Sequence, residues 1–154
     1  MSVEWDELVP STVFTRIKTN FSDSLKKKYK MTDKNFSSVG SSNTPAVFPF
    51  VRLQLLPGSE IGEDLEGDKI NAEKFSFQID VTDNKSQARA KEVIREVKRI
   101  MKTMRFRGSS MPTQDDTKDT YRQTARFSRT IGKNDVYWRK YKPKGFIFLS
   151  NLRR

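Results

Sequence analysis

Residues 75–82 alternate strictly, with apolar Phe75, Phe77, Ile79 and Val81 separated by polar Ser76, Gln78, Asp80 and Thr82. A period of two is the signature of a strand with one buried face. The run closes on Asp83-Asn84, which reads as a turn and helix cap in one, with Gln87 at capping-box spacing from Asn84. The period then changes. Over 85–104, Val93, Val97, Ile100, Met101 and Met104 share one helical face, while Lys91, Arg95, Lys98, Arg99 and Lys102 share the other. Glu92 and Glu96 sit one turn from these cations, and no aromatic residue interleaves them, so the basic face reads as solvated rather than as a nucleic-acid contact.

Upstream, Val13, Phe14, Ile17, Phe21, Leu25 and Tyr29 follow helical spacing across 11–29. The pattern predicts one amphipathic helix, with Ser11 as its cap and Lys26, Lys27 and Lys28 in its last turn offsetting the helix dipole. Residues 31–45 are Ser-rich and close on Pro45, as a surface loop would. The run 46–56 is almost wholly apolar and predicts a strand buried on much of both faces. Pro49 cannot donate to a ladder, which puts its end of that strand at an edge or a bulge. Residues 57–71 read as a loop carrying Glu60, Glu63, Asp64, Glu66 and Asp68. Their spacing lacks the alternating order and distant bidentate Glu of a calcium loop, so a solvated or partner-facing acidic loop is expected.

The stretch TYRQTARFSRTIGKND, 120–135, poses the sharpest local question, because three arginines interrupt it. As a helix it would place Arg122, Arg126 and Arg129 on one face, but its Thr residues and aromatics disfavour that conformation. As a strand it packs Tyr121, Ala125, Phe127 and Ile131 inward and presents Arg122, Thr124, Arg126, Ser128 and Thr130 outward. Arg129 then points inward near the strand end, where its stem can snorkel. The strand reading prevails, and with RFRGSSMP before it forms a hairpin. The expected fold class is α+β: a mixed or mostly antiparallel sheet of about four strands, with two main helices packed on one face.

Composition narrows the chemistry. A chain of 154 residues fits one domain. There is no Cys and no His, hence no disulfide, no thiolate nucleophile, no imidazole base and no Cys/His zinc site. No phosphate-binding glycine loop, nucleophile elbow or paired-carboxylate motif occurs. The reading is therefore not an enzyme: no catalytic, metal or cofactor-binding residues and no cofactor. No apolar run spans a membrane, and the acidic start MSVEWDELVP is unlike a signal peptide, so an intracellular product with no membrane partner is expected. The net charge of +11 is lopsided: residues 1–84 carry 10 Lys+Arg against 13 Asp+Glu, and residues 85–154 carry 20 against 6. A polyanion-binding half would explain this, as would an acidic patch that meets a neighbour's basic patch.

FPFVRLQLL, GEDLEGDKIN, FSFQIDVTDNKSQARAKEV, FRGSSMP and TYRQTARFSRTIGKND, in this order, resemble the tail terminator (tail completion) proteins of long-tailed double-stranded DNA bacteriophages. The resemblance covers 11–135 and is sharpest in FQIDVTDNKSQARA and YRQTARFSRTIGKND. It implies a compact α+β subunit of the virion, assembled in the host cytoplasm. Six copies would form a homo-oligomeric ring that caps the head-proximal end of the tail tube and stops tube polymerisation. The implied partners are the tail tube protein, the head–tail connector or head-completion protein, and DNA that passes through the lumen without sequence-specific binding. Another neck component, a connector or adaptor, would share fold class and ring symmetry. A stand-alone basic nucleic-acid-binding domain is the further alternative.

On this reading Glu60, Glu63, Asp64, Glu66, Asp68, Arg122, Arg126 and Arg129 serve a subunit interface or the ring surface, since a ring subunit needs two complementary patches; a solvated strand face is the open alternative for the three arginines. The expected domain is 1–135, followed by an extension over 136–154. There Tyr137, Trp138, Tyr141, Phe146 and Phe148 lie among basic residues, the composition of a partner-docking arm. A terminal strand completing its own sheet is the open alternative. The isolated chain is expected to be monomeric, with loops 31–45 and 57–71 ordering only on assembly.

Overall fold

The computed structural model describes residues 8–38, 47–63, 70–114 and 120–132. Three helices, α1 (Leu8–Asn20), α2 (Asp23–Lys28) and α3 (Gln87–Thr103), accompany five strands: β1 (Phe36–Ser37), β2 (Phe50–Glu63), β3 (Ile70–Asp83), β4 (Arg107–Gln114) and β5 (Tyr121–Gly132). The sheet order is β1-β2-β3-β5-β4, with β1 parallel to β2 and the other pairings antiparallel. The result is an α+β fold, a five-stranded mixed sheet with two main helices packed on it. The expected sheet of about four strands gains the short β1.

β3 is the central strand, and its alternation sets the core. Phe75, Phe77, Ile79 and Val81 are buried beneath α3, which lies across β3 and β5 and offers Val93, Val97, Ile100, Met101 and Met104 as expected, with Ala90 and Ile94 besides. Phe77 meets Phe106 edge to face, with ring centroids 5.6 Å apart. From β5 come Ala125, Phe127 and Ile131, with Tyr121 packed at the rim. α1 packs against α3 through the stripe that includes Val9, Val13 and Ile17.

Several expectations need correction. The run 11–29 is two helices, because the chain turns extended at Ser22 (φ −55°, ψ 125°) and so drives Phe21 into the core edge-on to Phe36. The carbonyls freed at the end of α1 are covered by cations: Lys26 Nζ donates to Lys18 O (2.8 Å) and Arg99 Nη2 to Asn20 O (3.1 Å). Ser11 is not a cap but lies inside α1, its hydroxyl donating to Leu8 O. At α3 the cap is Ser86, whose Oγ accepts from Arg89 N; Asp83 holds the turn by accepting from Lys85 N and Ser86 N.

Within 31–45, residues Asp33–Asn35 form a 3-10 turn leading into β1, so that part is not a free loop. Buried Asn35 fixes it, accepting from Thr32 N (2.9 Å) and donating to Pro49 O (2.7 Å). Pro49 falls just before β2, where its missing N–H leaves no ladder bond unmade. β2 buries Val51 and Leu53 on the helix side, where Leu55 farther along is 48 % exposed, and on the other side Arg52, Gln54 and Leu56 are only half-buried, so the expectation of two buried faces fails.

The largest correction concerns 57–71. Pro57 and Gly58 do not end the strand; the register shifts between Leu56 and Ser59, and β2 continues to Glu63 opposite Ile70. Gly58 is required there, because a Cβ would lie 2.5 Å from the Lys74 carbonyl oxygen. β2 and β3 thus form a hairpin of 14-residue strands, about 45 Å long, against roughly 25 Å for α3.

Candidate functional site

The sheet face away from the helices carries two of the arginines singled out in 120–132, Arg122 and Arg126. β5 projects Arg122, Thr124 and Arg126 there because the alternate residues Gln123, Ala125 and Phe127 are buried. In register across β3 stand Thr82, Asp80 and Gln78. Asp80 is buried at 4 % exposure, yet on the outer side of the sheet. Its carboxylate accepts from Thr124 Oγ1 (2.7 Å), pairs with Arg122 Nη2 (3.2 Å) and lies 3.4 Å from Gln78 Nε2. Arg126 Nε donates to Gln78 Oε1 (3.1 Å). Such a network satisfies a desolvated carboxylate while fixing both arginines in place. Arg52 of β2 stands opposite Asp80 on its other side.

Arg129 lies on the helix side, as the alternation requires, and Nη1 donates to Met104 O at the carboxyl end of α3 (2.8 Å). The three arginines therefore divide. Arg122 and Arg126 belong to the outer face, and Arg129 anchors a helix end.

A second polar cluster joins α2 to α3. Tyr29 OH donates to Glu92 Oε2, and Lys28 Nζ lies 3.5 Å from the same oxygen. Arg89 stacks over the Tyr29 ring (4.8 Å to the centroid) and reaches Asp83 Oδ1 (3.3 Å). The Tyr29 hydrogen bond, with the Lys28 charge behind it, holds the Glu92 carboxyl below its ordinary value against partial desolvation. Glu92 in turn raises Lys28, and burial raises Tyr29. This cluster clamps α2 to α3.

Of the acidic residues expected in a loop, Glu60 and Glu63 lie instead in the far half of β2. Asp64, Glu66 and Asp68 lie outside the described residues, as do the arm residues Tyr137, Trp138, Tyr141, Phe146 and Phe148. Among the described residues there is no group of three metal-ligating side chains and no helix long and apolar enough to cross a membrane. A shallow depression beside α2 is lined by Lys26, Met31, Thr32, Asp33 and Lys34. Sequence reasoning placed Asp80 on the outward face but did not foresee its role, which depends on the pairing of β3 with β5. Arg52, Lys74 and Arg107 were missed as members of that face for the same reason.

No protein-family model matches the chain, and no curated protein matches it.

Proposed function

We propose that this chain is a structural virion protein, a tail terminator whose copies close into a ring on the head-proximal end of a phage tail tube. There it stops tube growth and offers the surface that joins tail to head. The observation that carries the reading is the one-sided architecture: the described helices pack on one face of the sheet, and the described residues of the other are mostly polar, with Arg122 and Arg126 held in a network. A subunit built this way presents surfaces rather than a cleft, as a ring component must. The resemblance of FQIDVTDNKSQARA and YRQTARFSRTIGKND to tail terminators supplies the specific class. The acidic residues Glu60 and Glu63, near the end of the long hairpin, and the basic second half of the chain provide complementary charge for contacts between copies.

The partners on this reading are further copies of the chain, the tail tube protein, the connector or head-completion protein and the DNA in the lumen, with the protein residing in the neck of the virion. The test is negative-stain imaging of purified tail tubes incubated with the chain. Rings confined to one tube end support the proposal, and decoration along the tube or none at all refutes it. The net charge of +11 favours a second reading, a basic nucleic-acid-binding domain, which would bind DNA and leave tubes uncapped.

A further inference from the structure

The strand register reveals a spacing that the linear sequence hides. Along β3 the outward positions are Thr82, Asp80, Gln78, Ser76 and Lys74. Each rung carries one cation, contributed by a different strand in turn. Arg122 of β5 stands opposite Thr82, Arg52 of β2 opposite Asp80, and Arg126 of β5 opposite Gln78. At the level of Ser76, Ser128 of β5 faces Arg107 of β4, and Lys74 supplies the fifth rung itself. Successive rungs are two residues apart, about 6.7 Å. Across the four strands the band is about 15 Å wide.

Asp80 is the one carboxylate among the described side chains of this face, and it is buried beneath Arg122. Among the described side chains the face thus carries hydroxyls and five cations, with one acid that pairs with Arg122. Phe50 of β2, opposite Thr82, is the one aromatic ring in register with the described part of the band, and at 8 % exposure it is buried, so no exposed ring offers a base a stacking surface. The basic face of α3 differs: Glu92 and Glu96 interrupt it on successive turns, Glu96 pairs with Arg99, and Arg99 is committed to Asn20 O.

We propose that the outer face of the sheet is a duplex-DNA-tracking surface that contacts phosphates through Arg52, Lys74, Arg107, Arg122 and Arg126 without reading bases. Duplex DNA carries one phosphate charge per about 1.7 Å of axis with both strands counted, so cations spread along and across the band can meet phosphates of whichever strand turns toward the face. Even charge with no base-reading or stacking group favours weak, sliding contact over a fixed grip. The inference rests on the ring reading in one respect: in a ring, this is the face that would line the passage.

The test is fluorescence anisotropy of the full chain with a random-sequence duplex across a salt series, comparing two triple variants. One is Lys74→Gln with Arg107→Gln and Arg126→Gln, which spares the Asp80–Arg122 pair. The other is Lys91→Gln with Arg95→Gln and Lys102→Gln on α3. The sheet triple is expected to weaken binding roughly tenfold or more at about 50 mM salt and to flatten the log–log salt slope by about 0.9 per cation removed. The α3 triple is expected to bind like the parent chain. Single substitutions Arg107→Gln and Arg126→Gln are measured in parallel, each lowering the slope by about 0.9, so a folding defect in the triple chain does not silence the test. Unchanged binding by the sheet variants, loss confined to the α3 triple, or no measurable binding by the parent chain overturns the assignment. Tube capping is scored separately on the same proteins. Capping without DNA binding at this face defeats this inference alone; DNA binding at this face without capping defeats the ring reading alone.

Discussion

Arg122 and Asp80 face each other across β5 and β3, with Nη2 3.2 Å from Oδ1, on the side of the sheet that no described helix covers. The acid side chain is 6 % exposed and the arginine 39 %, so the pair joins a desolvated carboxylate to a guanidinium still in contact with water. Breaking such a pair from the carboxylate side leaves Arg122 able to rehydrate, but it strips Thr124 and Gln78 of their shared acceptor. Asp80→Ala is expected to cost about 1–3 kcal/mol in urea unfolding. Its cost in an Arg122→Ala background is expected to be smaller by about 0.5 kcal/mol or more. Strict additivity of the two changes would show that the pair is not energetically coupled.

Gly58 tests the continuation of β2 through Pro57. A methyl group there meets the backbone oxygen of Lys74 at 2.5 Å, an obstacle that cannot rotate away. Gly58→Ala is expected to destabilise the chain by about 1–3 kcal/mol through displacement of the two strands. A variant with unchanged unfolding midpoint would show that the strands do not approach this closely.

These two sites also show how far the chain could be read without coordinates. Alternation located β3, β5 and the apolar face of α3, because burial on one side imposes a period that survives in the residues themselves. It assigned Arg129 inward and Arg122 and Arg126 outward for the same reason. Local signals misled where tertiary contacts outweighed them. Pro57 and Gly58 looked like a strand end but form an irregularity within β2. Phe21 and Ser22 sat on a continuous helical pattern that burial of Phe21 breaks. Asn84 looked like a cap, but Ser86 is the residue whose backbone is extended and whose hydroxyl meets an amide. The alternation placed Arg122 and Arg126 outward, but the band they form with Arg52, Lys74 and Arg107 is assembled by register between four strands, which the linear sequence does not carry.

Tyr29 controls the ionisation of Glu92. Its hydrogen bond is the leading cause of the depressed carboxyl, so Tyr29→Phe is expected to raise the Glu92 value toward its ordinary 4.5, observed by carboxyl NMR titration. A carboxyl depressed in the folded chain stabilises above its unfolded value and loses that contribution as pH falls through the folded one. The stability gap between parent and variant is therefore expected to be largest near neutrality and to narrow below about pH 4.5, where Glu92 becomes protonated. With Glu92 partly exposed, this ionic part of the gap stays below about 1 kcal/mol. A Glu92 value unmoved by the substitution would contradict the assigned cause.

Arg105 closes α3 in the left-handed region, φ 64°, while Phe106 N reaches back to Met101 O at 3.0 Å. A side chain is strained in that conformation and glycine is not. Arg105→Gly removes that strain and is expected to raise stability by about 0.5–1 kcal/mol in thermal or urea unfolding. Destabilisation would show that the Arg105 side chain contributes more than its backbone strain costs.

The central claim is that this chain ends tube growth. The direct measurement is tail-tube length against time in a polymerising mixture of tube protein, with and without the purified chain. Elongation is expected to halt once tube ends are saturated, at a stoichiometry set by the number of ends and independent of total tube length. Tubes that continue to lengthen in the presence of excess chain would contradict the assignment.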